Sequence, residues 1–247
     1  MSEARYAIYY APDVLSPLTL TAESWLGHSA WRNAGVQQPD FNDLSRNTLC
    51  DLTAQPRRYG FHATLKAPFR LADDRRETEL IEAILRFAGR RQPARIDSLT
   101  LRWIGSFLAL VPAMQSDALQ DLAMDVVSHL DAFRAPLNVG DRARRMQADL
   151  SEHQVTLLDR WGYPYVDDEF RFHMTLTGRV DADQQDAMEV AAQQHFADFL
   201  DRPLAIDRLT LFKQASPEKF FVAVRSFPLN GDHAAGDHPK SLTVVNG

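Results

Sequence analysis

Histidine and threonine occur together twice in the chain, within the same local sequence. The pattern Phe-His-x-Thr-Leu surrounds His62 and is repeated around His173. Residues two apart in a strand point to the same face, so His62 and Thr64 should project together, as should His173 and Thr175. Imidazole exchanges a proton near neutral pH, and a hydroxyl can donate a hydrogen bond to a phosphoryl oxygen. The repeated pair therefore indicates proton-transfer chemistry at a phosphate.

Two such half-sites supply what the cleavage of a phosphodiester requires. A base must take a proton from the attacking oxygen, an acid must protonate the leaving oxygen on the opposite side of phosphorus, and donors must hold the remaining oxygens. His62 and His173 can be the base and the acid in either order. Two histidines could also bind a metal, but no third ligand stands at a suitable spacing. The sequence therefore predicts no metal and no cofactor.

Residues beside the motifs are further candidates for substrate binding. If both strands extend towards the N-terminus, Arg58, Lys66 and Arg171 share a face with the histidines and should bring positive charge to the phosphate. Charged strand residues are often simply exposed, and that alternative stays open for these three. Tyr59 could stack on a base or a sugar, or could only form an apolar rim. Gly60 should leave space on the same face.

The elements that must position these residues are repeated as well. Each motif is followed by a stretch with helical spacing of apolar residues, over about 74–89 and about 183–200. Each helix then leads into Ile-Asp-x-Leu-Thr-Leu and, after a turn, into a second apolar strand, at 107–111 and 220–224. Each half thus has the order strand, helix, strand, turn, strand. The pattern indicates a duplicated unit.

Other elements flank the two units. A strand is predicted near 5–10, and helices are predicted over 21–33, 116–133 and 143–161. The segment 230–247 is rich in Gly, Asp and His, and we expect it to be a loose tail without chemistry. A domain of residues 1–229 followed by this tail is the expected organisation.

Composition excludes several classes of protein. The chain has 247 residues, 45% of them hydrophobic and 24% charged, as expected for a globular protein, and its net charge of −6 makes nucleic acid an improbable partner. Its one cysteine, Cys50, cannot form an intramolecular disulfide. No apolar run is long enough to span a membrane and no signal peptide is evident, so we expect a cytoplasmic protein without a membrane partner. The sequence leaves the oligomeric state open.

The two motifs resemble those of the two-histidine (2H) phosphoesterase superfamily, which is marked by paired His-hydrophobic-Thr/Ser-hydrophobic units. The stretches 5–12 and 56–70 are similar to the subgroup found with phosphonate-utilisation (carbon–phosphorus lyase) genes. The resemblance covers roughly residues 5–228. It implies an α+β fold with two lobes that carry the motifs at 57–66 and 168–177. Each lobe would be an antiparallel sheet backed by helices, with a cleft between the two pseudo-symmetric sheets.

The activity implied by the resemblance is metal-independent cleavage of a small cyclic phosphodiester derived from a sugar or a nucleotide. His62 and His173 would be the general acid and base, while Thr64 and Thr175 would hold the phosphoryl oxygens. The expected partner is a small phosphorylated metabolite. Two alternatives stay open: a non-catalytic protein that binds a phosphorylated metabolite, and an enzyme acting on 2′,3′-cyclic phosphates at RNA ends.

Overall fold

The computed structural model describes residues 4–114 and 116–231. Its α-helices are α1 (Pro17–Leu26), α2 (Arg46–Leu52), α3 (Ala54–Arg57), α4 (Glu77–Ala88), α5 (Asp117–His129), α6 (Val139–Arg145), α7 (Glu152–Trp161) and α8 (Ala182–Phe196). Its strands are β1 (Arg5–Tyr10), β2 (His28–Ser29), β3 (Ala34–Gly35), β4 (Ala63–Phe69), β5 (Ala94–Ile96), β6 (Leu99–Ile104), β7 (Phe107–Pro112), β8 (Met174–Thr175), β9 (Leu204–Ile206), β10 (Arg208–Gln214) and β11 (Val222–Pro228).

Seven of these strands form the central sheet, in the order β11-β10-β1-β4-β8-β7-β6, with antiparallel neighbours throughout. Helices and antiparallel strands in these proportions confirm the predicted α+β class. The largest hydrophobic cluster contains Tyr6, Ile8 and Tyr10 of β1 together with apolar residues of α1, α4, α5 and α8. Alternation in β1 sends Ala7 and Tyr9 into a smaller cluster on the other face. The helices therefore back one face of the sheet, and the other face is left for the site.

The strands of the two lobes come from both halves of the chain. β4, which follows His62, is joined by β1 to the hairpin β10–β11, and β8, which follows His173, pairs with the hairpin β6–β7. Each motif strand thus shares its lobe with the hairpin that comes from the other repeat. The order of elements along the chain did not predict this exchange, because both hairpins are equally apolar and could pair with either strand.

Equivalent positions of the two repeats meet in the structure. Ala63 and Met174, the residues after the two histidines, pair directly where β4 joins β8. Arg95 and Ala205, which each precede the isoleucine of Ile-Asp-x-Leu-Thr-Leu, pair where β5 joins β9. Both pairings are antiparallel, so an approximate two-fold axis relates the two motifs.

Two of the predicted helices differ from the structure. The helix predicted over 21–33 begins at Pro17 and ends at Leu26, because Gly27 adopts a left-handed conformation with φ of 75° and closes it. The helix predicted over 143–161 is two helices, α6 and α7. Ser151 breaks the run, since its side chain accepts a hydrogen bond from the N–H of Gln154 and starts α7.

The chain beyond the last strand is described only in part. Backbone N–H groups of Asn230 and Gly231 donate to the carbonyls of Ala88 and Arg91, so these two residues are fixed against the end of α4. The remainder of the predicted tail, from residue 232, lies outside the described residues. Within the described ranges, no helix combines the length and apolar character needed to cross a bilayer.

Candidate active site

The junction of β4 and β8 brings the two motifs onto one face of the sheet. Ala63 and Met174 face each other across this junction, and both are fully buried towards the helices. Continued by one residue each way, the same register sets His62 opposite Thr175 and Thr64 opposite His173. Side chains opposite each other in such a pair have Cβ atoms roughly 5 Å apart. Two imidazoles and two hydroxyls therefore form a four-cornered group on the face away from the helices.

Both imidazoles are oriented in the same way by the backbone. Nδ1 of His62 lies 2.9 Å from the carbonyl oxygen of Gly60, and Nδ1 of His173 lies 2.8 Å from that of Arg171. A carbonyl can only accept, so Nδ1 carries a proton in each ring. Nε2 is then the nitrogen that exchanges protons, and Nε2 of His62 lies 3.3 Å from Oγ1 of Thr64. Since Nδ1 of His62 carries the proton, its Nε2 accepts from the Thr64 hydroxyl within the same motif.

Both histidines resist protonation. Burial lowers the pKa of His62 to about 4, with a smaller lowering by the charge of His173 and an opposing effect of the Gly60 carbonyl. Burial also lowers the pKa of His173, opposed by the Arg171 carbonyl. His62 stacks against Tyr9, whose ring centroid is 3.7 Å away and which is 1% exposed. In the absence of an anion, both rings are therefore neutral at physiological pH.

Two adjoining cavities surround this group. The first has a volume of about 400 Å³ and is lined by His62, Thr64 and Thr175 among others. The second, of about 420 Å³, is lined by His173 and Thr64 and otherwise mostly by apolar side chains. Thr64, Phe107 and Tyr163 line both. The two cavities are neighbouring parts of one cleft, and each has the size of a small-molecule site.

Lys66 is not where the sequence analysis expected it. Tyr9 pairs with Thr64 while Ile8 pairs with Lys66, so β4 contains one extra residue between them. Such a bulge moves the following side chain to the opposite face. Lys66 is 3% exposed on the helix side, where its Nζ donates to the carboxylate of Asp131 at 3.0 Å. Burial lowers the pKa of Lys66 to about 8, opposed by that carboxylate. The expected contact of Lys66 with phosphate is therefore wrong.

Arg58 is also displaced from the cleft. The expectation assumed a strand reaching back to residue 58, but β4 begins at Ala63 and the preceding residues form the turn after α3. The guanidinium of Arg58 donates to the carbonyl of Pro217 at 2.7 Å and lies 6.0 Å from the Phe220 ring centroid. Its role is to hold the turn between β10 and β11.

Arg171 and Tyr59 do lie at the cleft. Arg171 lines the cavity of His173, although its guanidinium donates to the carbonyls of Asp168 and Phe170, both at 2.7 Å. Tyr59 lines the cavity of His62 and stacks on Phe221, with ring centroids 5.3 Å apart. These two side chains border the four-cornered group on opposite sides.

Gly60 is required for a different reason from the one expected. Its φ of 75° is a left-handed conformation that side chains disfavour, and an added Cβ would lie 2.5 Å from Cβ of Ala30. This backbone conformation turns the Gly60 carbonyl towards Nδ1 of His62. The glycine therefore fixes the orientation of an imidazole, in addition to leaving space.

Sequence reasoning missed the cations that do line the cleft. The cavity of His62 is lined by Arg5, Arg144 and Arg145, from the start of β1 and the end of α6. Alternation along β1 places Arg5 on the face of Tyr9, a signal that was readable in the sequence. The basic run at residues 142–145 was also visible, but it lies at the start of the single helix predicted over 143–161. Tyr9 was missed as well.

No group of three or more His, Cys, Asp or Glu side chains within residues 4–114 and 116–231 is arranged to hold a metal ion. Glu169 lines the cavity of His173, and its carboxylate accepts a hydrogen bond from Gln154 at 3.0 Å. Nδ1 of each histidine is bonded to a carbonyl. The site thus offers proton exchange and hydrogen-bond donors.

Comparison with known families identifies relatives of this chain. The family described as a protein of unknown function (DUF1045) matches residues 64–222. A protein of Janthinobacterium sp. (strain Marseille), named ribose 1,5-bisphosphate phosphokinase PhnN, is 40% identical over 244 residues, covering 97% of this chain and 54% of its own length. A protein of Laribacter hongkongensis (strain HLHK9) with the same name is 34% identical over 208 residues, covering 84% and 48%. The chain spans about half the length of these curated relatives.

Solved structures with similar folds include a phosphoesterase, LigT of E. coli in complex with 3′-AMP, and TT0787 of Thermus thermophilus. LigT is 13% identical with a TM-score of 0.40, and the match covers 91% of this chain and 97% of LigT. TT0787 is 12% identical with a TM-score of 0.45, covering 93% and 100%. The phosphoesterase is 13% identical with a TM-score of 0.39, covering 91% and 98%.

Proposed function

The chain belongs to the family of unknown function DUF1045, and we propose that it is a 2H-type cyclic phosphodiesterase that works without a metal ion. The observation that carries the proposal is the convergence of His62, Thr64, His173 and Thr175 across the β4–β8 junction, with Nδ1 of both rings bonded to a carbonyl and Nε2 left for proton exchange. An internal duplication explains why the two half-sites are related by an approximate two-fold axis. Such symmetry suits a reaction with one proton transfer on each side of phosphorus.

The chemistry follows from this arrangement. Nε2 of one histidine removes a proton from a water molecule, whose oxygen forms a bond to phosphorus. The ring P–O bond breaks, and Nε2 of the other, protonated histidine donates its proton to the leaving oxygen. The hydroxyls of Thr64 and Thr175 donate to the two non-bridging oxygens as negative charge builds on them. The product is a phosphomonoester, and the two histidines have exchanged protonation states.

An anionic substrate favours protonation of one ring, with the proton taken from solvent. Both imidazoles are neutral in the free protein because they are buried. A phosphodiester anion between them favours the charged form of the nearer ring. Binding therefore converts one of two equivalent bases into the acid. Tyr59 and Arg171 border the group and would contact the rest of the substrate.

We place the substrate among cyclic phosphates of ribose, with phosphonate metabolism as the setting. The resemblance of 5–12 and 56–70 to the phosphonate-associated subgroup supports the setting. The relatives' name mentions a ribose bisphosphate, which supports the sugar. We do not propose the relatives' phosphokinase activity for this chain. Its sequence does not contain GxxxxGK[ST], a phosphate-binding loop typical of kinases.

The test is hydrolysis of ribose 1,2-cyclic phosphate and of nucleoside 2′,3′-cyclic phosphates, by wild type and by His62→Gln and His173→Gln. Each substitution should lower kcat by roughly 10²–10⁴-fold. His129→Gln is the matched control, since His129 is exposed and its Nδ1 bonds to the Asp125 carbonyl on α5. It should keep wild-type rates.

Several results would contradict the proposal. Full activity in both cleft variants would remove the histidines from the reaction, and activity abolished by a chelator would require a metal. Tight binding of phosphorylated ligands with no turnover of any cyclic phosphate would favour a binding protein. Turnover confined to RNA ends, with a steep salt dependence of binding, would favour the RNA-end enzyme.

A further inference from the structure

An arginine cluster lies at one side of the cleft. Arg5, Arg144 and Arg145 line the cavity of His62, together with Pro68 and Tyr163. None of the three lines the adjoining cavity of His173, whose walls are mostly apolar. The cleft is therefore asymmetric, although its histidines and threonines are not. One end is cationic and the other is aromatic.

Two of these arginines have no carboxylate partner. The guanidinium of Arg5 donates from Nε to the neutral amide oxygen of Gln214, at 2.8 Å. Arg145 donates to the carbonyl of Pro68 at 3.5 Å and lies 5.1 Å from the centroid of the Tyr163 ring. Nε of Arg145 is buried without any hydrogen-bond partner. Among the described residues, no ion pair involves Arg5 or Arg145.

The positive charge extends behind the cleft. A small cavity of about 30 Å³ is walled by six cations, which share two carboxylates: Asp141 pairs with two of them at 2.6 and 2.7 Å, and Asp131 pairs with two at 3.0 and 2.8 Å. The six cations are Arg5, Lys66, Arg70, Arg134, Arg144 and Arg145. This local excess of positive charge contrasts with the net charge of −6 of the whole chain.

Arg5 and Arg145 are half-buried, and guanidinium groups withdrawn from water without counter-ions are unfavourable unless an anion joins them. Burial lowers the pKa of Arg145. The charges of Tyr163 and Asp141 raise it, whereas those of Arg144 and Arg5 lower it because these cations repel one another. A phosphate with two negative charges would pair with two guanidinium groups and could accept the free Nε–H of Arg145. A phosphate between His62 and His173 would lie towards the cavity of His173, which none of these arginines lines.

We propose that the arginine cluster is a second anion subsite, which holds a non-reacting phosphate monoester carried by the same substrate molecule. The inference rests on the proposed function for the identity of the first site, and it adds the class of substrate: a cyclic phosphodiester that bears a second phosphate. Arg5 and Arg145 bind that phosphate, and Arg144 adds charge beside it. A volume of about 400 Å³ accommodates a sugar with both groups.

Calorimetry with product-like ligands tests the subsite independently of turnover. Adenosine 2′-monophosphate and adenosine 2′,5′-bisphosphate differ only in the second phosphate, and the bisphosphate should bind roughly 10–100-fold more tightly, as expected for a charge-assisted bidentate contact. Arg5→Gln and Arg145→Gln should remove this difference while changing the affinity for the monophosphate little. Arg142→Gln is the matched control on the same helix, because Arg142 pairs with Asp159 at the surface, at 2.8 Å. It should preserve the difference.

Other outcomes separate the two proposals. Equal affinities for the two ligands in wild type, or an equal loss of both affinities in Arg145→Gln, would overturn the subsite. If Arg145→Gln fails to fold, Arg5→Gln and Arg145→Lys carry the test, and Arg145→Lys should retain part of the preference because it keeps the charge. A preserved preference in wild type without hydrolysis of any cyclic phosphate would refute the proposed function and leave the subsite standing.

Discussion

Replacing His62 should change how the stability of the protein depends on pH. The pKa of His62 is lowered by burial to about 4 in the folded state, whereas an unfolded histidine has a pKa near 6.5. The unfolded chain therefore binds this proton more readily, and folding stability falls as the pH drops through this interval. The contribution of His62 is fully present above pH 6.5 and is lost progressively as the pH approaches 4.

The magnitude follows from the shift. One pKa unit corresponds to about 1.4 kcal/mol, so the full interval from 6.5 to about 4 is worth about 3 kcal/mol. About 2 kcal/mol of this should already be lost by pH 5, where the unfolded imidazole is almost fully protonated and the folded one is mostly neutral. In His62→Gln this component is absent. Its unfolding free energy should therefore fall less than that of wild type over the same range.

Urea unfolding of both proteins at a series of pH values between 4 and 7 measures the effect. The difference between wild type and variant cancels the other titrating groups, including the carboxylates with lowered pKa values. NMR titration of the His62 ring gives the folded-state pKa directly. If the two curves stay parallel, or if His62 titrates near 6.5, the ring is not desolvated and the account of the neutral free site is refuted.

Three further expectations concern residues around the site. Lys66→Met should lower the unfolding free energy by about 1–3 kcal/mol, because Asp131 loses a buried partner, while kcat/KM stays near wild type. A loss of kcat/KM on the scale of the histidine variants would show that Lys66 contacts the substrate. Gly60→Ala should lower the unfolding free energy by about 1–3 kcal/mol and also slow turnover. The φ at this position is strained for alanine, the added Cβ lies too close to Ala30, and the carbonyl that holds Nδ1 of His62 moves. An unchanged melting temperature and rate would contradict this. Arg58→Ala should leave kcat unchanged in the hydrolysis assay, and a large drop in a folded variant would show that Arg58 reaches the substrate.

Local pattern was sufficient for much of the fold. Apolar spacing predicted α4, α5 and α8 to within a few residues. Period-two alternation predicted strands through His62 and His173, whereas β4 and β8 each begin one residue after the histidine and β8 is only Met174–Thr175. These elements depend on neighbours in the chain, and such neighbours are visible in the sequence. The failed boundaries are those set by single residues, such as Gly27, whose left-handed conformation ends α1 before the predicted helix does.

The positions of charged side chains were harder to predict than the helices and strands. Lys66 stands two residues after Thr64 and should share its face, but one extra residue in the β4–β1 pairing turns it towards Asp131. A bulge depends on the partner strand, and nothing in the local sequence marks it. The sequence likewise could not predict that Arg145 lines the cleft, because its position depends on where α6 packs.

The sequence by itself determined that the chain carries two His-x-Thr units on strands of two similar repeats. A motif that is repeated within a repeated unit can be recognised by comparing the chain with itself. Tertiary structure alone decided that β4 and β8 are neighbours, that each lobe takes its hairpin from the other repeat, and that Arg145 of α6 lines the cleft. The physical reason is that strand pairing and helix packing join residues far apart in the chain, through register and burial that no short segment encodes.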